Sequence, residues 1–238
     1  MTKVKLIVKI LESLGDPKNV AGMARYGIAA EKAFGIAAPQ LKELAKKIKK
    51  ETGDRHALAL ELWRTRIHEA RAIAFLIDDP KLVTESQMEE WVADFDNWAI
   101  CDSTCGTLFS YTEHAYAKAF EWSERDEEFI KRAGIAMIAW LAVHDKQGPD
   151  EKLAAFLPVL ESKADDDRNF IKKAVNWALR SIGKRNLNLN GLAIECAERI
   201  RAQGTKSARW IASDALRELQ NETTVARLHA KLAVPNKS

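Results

Sequence analysis

The chain has 238 residues, 47% hydrophobic and 30% charged, with a formal charge of +3. This is ordinary globular composition with length enough for a sizeable core, and it excludes wholesale disorder. There is no uncharged apolar run of roughly 18 residues, and the start Met1-Thr2-Lys3-Val4-Lys5 lacks the unbroken apolar stretch of a signal peptide, so neither a membrane span nor secretion is expected and a cytoplasmic location is.

Helical periodicity dominates the chain. Segment 3–14 places Leu6, Ile7, Ile10, Leu11 and Leu14 on one side, and Gly15-Asp16-Pro17 stops it, with Pro17 suited to a new helix start. A loop near Phe34-Gly35-Ile36-Ala37-Ala38-Pro39 precedes a helix from about 40 to 51. Further helices are predicted at 54–63, 66–77, 85–93, 95–109, 113–121, 126–143, 150–161, 168–184, 188–202, 206–219 and 222–232, punctuated by Asp78-Asp79-Pro80, Gly148-Pro149, Gly183 and Gly204. No alternating β-branched run bounded by hairpin turns is found. Short helices with short connections read as antiparallel pairs at a period near 35 to 45, the rhythm of helical-repeat solenoids. The expectation is an all-α chain with one domain over 1–234 and a frayed tail at 235–238.

Several chemistries lack their residues. The three cysteines, Cys101, Cys105 and Cys196, are an odd set that argues against a disulfide scaffold and reads as buried small hydrophobes. The histidines His56, His68, His114, His144 and His229 form no ligand spacing, so no metal is expected. There is no phosphate-binding glycine loop, no dinucleotide fingerprint and no nucleophile elbow. No cofactor is expected.

The charge is unevenly spread. From Lys163 to Arg217 there are twelve basic and six acidic residues, and within 168–185 six basic residues and no acidic one. One end of the molecule is therefore electropositive and suits a polyanion.

Three constellations stand out. In 168–184, Ile171, Ala174, Val175, Ala178 and Ile182 form the apolar stripe, and Trp177 sits at its edge beside Lys173, Arg180 and Lys184. An aromatic among cations can meet base, sugar and phosphate together, or it can pack under a neighbouring helix with lysine stems over it. In Asp96-Asn97-Trp98-Ala99-Ile100-Cys101-Asp102, the four-residue spacing stacks Trp98 beside Asp102. A carboxylate in that stripe needs a basic partner, a capping role or an active-site role. In Phe129-Ile130-Lys131-Arg132, Arg132 opens a mostly apolar helix and needs an acid or phosphate; Asp102 and Glu128 are both conceivable partners. Arg25 and Tyr26 could present a cation and an aromatic at a helix end. Trp63, Trp91, Trp122, Trp140 and Trp210 read as packing residues.

These segments, in this order, resemble the DNA alkylation repair glycosylases with HEAT-like repeats, the AlkD-like family. The resemblance is carried by Asp96–Asp102, by Phe129-Ile130-Lys131-Arg132, and by Phe170-Ile171-Lys172-Lys173-Ala174-Val175-Asn176-Trp177-Ala178-Leu179-Arg180. Tyr26, Phe34-Gly35-Ile36 and Pro39 add to it, and it spans about 20 to 220. It implies a curved right-handed superhelix of HEAT-like helix pairs. It also implies excision of positively charged N3- or N7-alkylated purines such as 3-methyladenine and 7-methylguanine from duplex DNA, without a metal and without base flipping. It assigns Trp98, Asp102, Arg132 and Trp177 to the catalytic site. Backbone contacts would then fall to Arg25, Tyr26, Lys172, Lys173, Arg180, Lys184 and Arg185. The partner would be alkylated double-stranded DNA, bound by a monomer associated with the nucleoid. The stretch Ala24-Arg25-Tyr26-Gly27-Ile28 is only loosely like the family pattern. A non-catalytic DNA-binding module and a protein-interaction scaffold are the competing readings.

Overall fold

The computed structural model describes residues 2–28 and 32–233; the tail expected to fray, 235–238, lies outside them. Among the described residues there are α-helices, one short 3₁₀ turn and no strand. The helices are α1 (Lys3–Ser13), α2 (Pro17–Arg25), α3 (Ala38–Glu51), α4 (Arg55–Trp63), α5 (His68–Ile77), α6 (Glu85–Ala93) and α7 (Trp98–Thr107), then the 3₁₀ turn Phe109–Tyr111. They continue as α8 (Ala115–Ser123), α9 (Glu128–His144), α10 (Asp150–Ala154), α11 (Leu157–Ser162), α12 (Asn169–Gly183), α13 (Leu187–Ala202), α14 (Lys206–Leu219) and α15 (Glu222–Ala233).

The predicted elements are present, and the differences have local causes. The helix expected over 95–109 begins at Trp98, because Asn97 is its N-cap: the Asn97 side chain accepts from the amides of Ala99 (3.0 Å) and Ile100 (3.1 Å). Asp102 is therefore not a cap. The helix expected over 150–161 is broken in two. Pro158 lacks an amide hydrogen and its ring would clash with the carbonyl of Ala154, so α10 stops and α11 restarts with proline in its first turn.

The chain forms two compact units, Met1–His114 and Ala115–Ser238. In the first, α5 packs on α3, α4 and α7, and most of its side chains are buried. Trp63 and Trp91 stack with centroids 4.0 Å apart and planes 3° from parallel, against Phe95 and Phe109. Such pairs add about 1 kcal/mol beyond the area they bury.

In the second unit the repeat is visible in its hydrogen bonds. Arg132 on α9 reaches Phe170 on α12, Asn176 and Arg180 on α12 reach Asp214 and Glu218 on α14, and Arg199 on α13 reaches Glu161 on α11. Each of these bonds joins residues 38 apart. Equivalent helices of successive pairs thus lie side by side in constant register, the physical meaning of the 35-to-45 rhythm. One layer contains α9, α12 and α14; α8, α11 and α13 pack behind it. Helix α12 joins that layer because Ile171, Ala174, Val175, Ala178, Leu179 and Ile182 are all fully buried. Gly134 lets α8 and α9 meet closely, since a Cβ there would lie 2.3 Å from the amide nitrogen of Ser123. The architecture is all-α and helical-repeat, consistent with a HEAT-like solenoid.

All three cysteines are fully buried. Burial pushes the Cys196 thiol up to about 12, which makes it an inert small hydrophobe.

Candidate nucleic-acid interface

In the first unit the geometry centres on the start of α7. Trp98 is its first residue and Asp102 lies one turn on; both side chains are half-buried. The Trp98 indole donates from Nε1 to the Tyr26 carbonyl at 2.8 Å, so the C-cap residue of α2 and the start of α7 are tied across 72 residues of sequence. The Tyr26 ring itself is 73% exposed, and Arg25 beside it is exposed too. The structure therefore brings Tyr26 to Trp98, two residues that the sequence left far apart.

Two buried polar knots hold this arrangement, and neither was singled out by sequence. Arg71 on α5 is 5% exposed. It donates to the Asp94 carbonyl at 3.2 Å, lies 3.0 Å from the Asp94 carboxylate, and sits over the Trp63 ring. The Trp63 indole donates to the same carboxylate at 2.9 Å. This fixes the turn between α6 and the Asn97 cap. The second knot is Glu69, whose buried carboxylate accepts from the amides of Phe34 (2.9 Å), Gly35 (2.6 Å) and Ile36 (3.3 Å). Gly35 has φ +80°, and a Cβ there would meet the Asp16 carbonyl at 2.4 Å, so only glycine fits the loop. The signal that could have found both knots is a charged pair, Glu69 and Arg71, inside an otherwise apolar helix.

His68, next to Glu69, is half-buried. Burial pushes its imidazole below the usual value, partly offset by the Glu69 and Asp96 carboxylates. Its Nδ1 is buried and has no hydrogen-bond partner among the described residues.

In the second unit, Arg132 is buried and donates from Nη1 to the Phe170 carbonyl at 2.6 Å, with its guanidinium over the Phe170 ring at 5.9 Å. Trp177 is half-buried; its ring meets Trp140 edge-on, with centroids 5.4 Å apart at 88°, and Trp140 stacks on His144. Trp177 thus packs against Trp140 and still keeps exposed surface.

The basic residues divide into two groups. Arg180 bonds to Glu218 and lies 3.8 Å from Asp214; Lys184 is 2.5 Å from Glu218; Arg185 donates to the Asp145 carbonyl. Glu218 is held below the ordinary carboxylate value: burial raises it, but hydrogen bonds from Lys184 and Arg180 outweigh that. Asp166 behaves likewise, with Arg168 and Lys131 overcoming its burial. By contrast, Lys172 and Lys173 have no ion-pair partner among the described residues. Much of the sequence-level excess of positive charge is therefore locally paired. Among the described residues no three His, Cys, Asp or Glu side chains are placed to hold a metal ion.

A family model described as DNA alkylation repair enzyme matches residues 7–219. The chain belongs to the DNA alkylation repair enzyme family. A solved structure described as "A new family of proteins related to the HEAT-like repeat DNA glycosylases with affinity for branched DNA structures" superposes with a TM-score of 0.72 at 26% identity, over 83% of each chain. No curated protein matches the chain.

Proposed function

We propose that this member of the DNA alkylation repair enzyme family is a glycosylase that excises positively charged N3- or N7-alkylated purines from duplex DNA. The observation that carries the reading is the start of α7, where Trp98 and Asp102 stand one turn apart and the indole is pinned by the Tyr26 carbonyl. An alkylated purine already bears the positive charge, so it departs as a neutral base and needs little help from a general acid. The C1′–N bond breaks with its electron pair going to the purine. Water adds to C1′, and its proton passes to Asp102 or to solvent. What must be stabilised is the cationic sugar, and a fixed carboxylate does that. One carboxylate suffices here, unlike the paired acids of ordinary glycosidases. Trp98, one turn from Asp102, offers a ring face that favours the cationic state.

Arg132 is buried and anchored to Phe170, which supports a positioning role as a fixed positive charge rather than a mobile phosphate clasp. Lys172 and Lys173, which have no acidic partner among the described residues, are the first candidates for backbone contact, followed by Arg25 and Tyr26. Arg180, Lys184 and Arg185 would contribute once released from Glu218 and the Asp145 carbonyl. No metal takes part and the base need not leave the stack, in contrast to flipping enzymes. The protein acts as a monomer in the cytoplasm, on the nucleoid; no helix among the described residues is long and apolar enough to cross a membrane.

A second reading, binding without cleavage, is favoured by one observation: the structural relative at 26% identity is described by its affinity for branched DNA. Release of 7-methylguanine and 3-methyladenine from methylated duplex separates the two. Free base above the spontaneous rate supports the glycosylase. Tight duplex binding without release supports the second reading.

A further inference from the structure

The side-by-side layer of α9, α12 and α14 carries a feature that the proposed reaction leaves unused. Trp210, in the second turn of α14, is 42% exposed, whereas Trp63, Trp91 and Trp122 are no more than 1% exposed. Sequence pattern made it a packing residue, and the structure corrects that. Leaving so much indole in water forgoes apolar burial that the other tryptophans obtain.

Its surroundings are equally specific. The Lys172 ammonium lies 5.7 Å from the Trp210 ring centroid, within cation–π reach. This contact is the first rung of the α12–α14 ladder, in the same 38-residue register as Asn176 with Asp214 and Arg180 with Glu218. The acids sit on the later rungs, where they pair with Arg180, Lys184 and Arg217. Lys172 at this rung, and the exposed Lys173 next to it on α12 and Lys206 one turn before Trp210 on α14, have no ion-pair partner among the described residues. Asp166, whose backbone carbonyl accepts from the Ser207 hydroxyl in the first turn of α14, has its carboxylate paired with Arg168 and Lys131.

An exposed aromatic with a lysine over its ring and further exposed lysines on the same two helices matches a nucleotide: the base stacks on the ring and its phosphate meets the lysines. A paired base inside a duplex hides both faces, so an indole face can stack only on a base that has lost its partner or its neighbour. We propose that Trp210, with Lys172, Lys173 and Lys206, is a stacking site for an unpaired nucleotide of DNA, additional to any contact made by the α7 region. The proposal rests on the DNA-binding part of the reading above.

The test compares two labelled DNAs by fluorescence anisotropy: a blunt duplex, and the same duplex interrupted by a gap of unpaired thymidines. The natural protein binds the gapped DNA more tightly, and Trp210→Ala removes that advantage, a loss of roughly 5- to 100-fold for one stacked base. Blunt-duplex affinity stays unchanged, which also shows that the variant is folded. Trp210→Phe keeps most of the advantage. Equal affinity of the natural protein for both DNAs, or an advantage untouched in Trp210→Ala, overturns the site while leaving duplex binding standing. Binding to neither DNA overturns the DNA-binding reading and this site with it.

Discussion

Glu218 holds Arg180 and Lys184, two of the cations assigned to the DNA backbone, and removing its charge should have opposite effects on stability and on binding. Both pairs are partly exposed: the side chains are 28% and 28% exposed for Arg180–Glu218, and 44% and 28% for Lys184–Glu218. Pairs of this kind stabilise by about 0.2–1 kcal/mol each after solvent screening. Glu218→Gln should therefore cost about 1 kcal/mol or less. Because the folded protein holds Glu218 below its ordinary value, this contribution is present above pH 4.5 and lost as pH falls through the lowered value. The same substitution frees Lys184 and leaves Arg180 with Asp214 as its remaining acid, at 3.8 Å. If they then reach phosphates, the dependence of log K on log salt should steepen by about 1–2, and duplex affinity should rise several-fold near physiological salt. The assay is duplex binding by anisotropy across a salt series, with urea unfolding of the same samples. An unchanged salt slope with the expected small loss of stability would refute the assignment of Arg180 and Lys184 to the backbone.

Two further outcomes follow from the first unit. Glu69→Ala leaves the amides of Phe34, Gly35 and Ile36 without their acceptor, and at about 1–3 kcal/mol for each truly buried group the loss should reach roughly 3 kcal/mol or more in urea unfolding; a loss below about 1 kcal/mol would show that water replaces the carboxylate. His68 is held below its ordinary value by burial, so the unfolded chain takes up a proton first as pH falls below 6.5, and stability drops there. His68→Gln should flatten the pH–stability curve between 6.5 and the lowered value, and a curve unchanged by the substitution would contradict this.

The fold was legible because its driving pattern is local. In α12 the apolar spacing at 171, 174, 175, 178 and 182 fixes both the helix and its buried face, and every one of those residues is fully buried. The break between α10 and α11 was legible in principle too, since Pro158 cannot continue the helix. The supports of the candidate site were not. Whether Arg71 pairs with Asp94, or Glu69 gathers three amides from the Phe34 loop, depends on contacts spanning 23 to 35 residues, which no single-helix pattern encodes. Charge counting misled in a similar way: six basic residues within 168–185 look like open positive surface, yet Glu218 on α14, distant in sequence, neutralises part of it. Trp210 reads as packing on periodicity because α14 has a strong apolar face, and only the 38-residue register with α12 shows that the ring faces Lys172 and solvent instead.

The central claim is that Asp102 stabilises a cationic sugar in a glycosylase reaction. Single-turnover release of 7-methylguanine from methylated duplex, comparing the natural protein with Asp102→Asn, tests it most directly. The natural protein should release the base, and the variant should do so roughly 10²–10³-fold more slowly with duplex affinity kept; equal rates in the two proteins would contradict the role of Asp102.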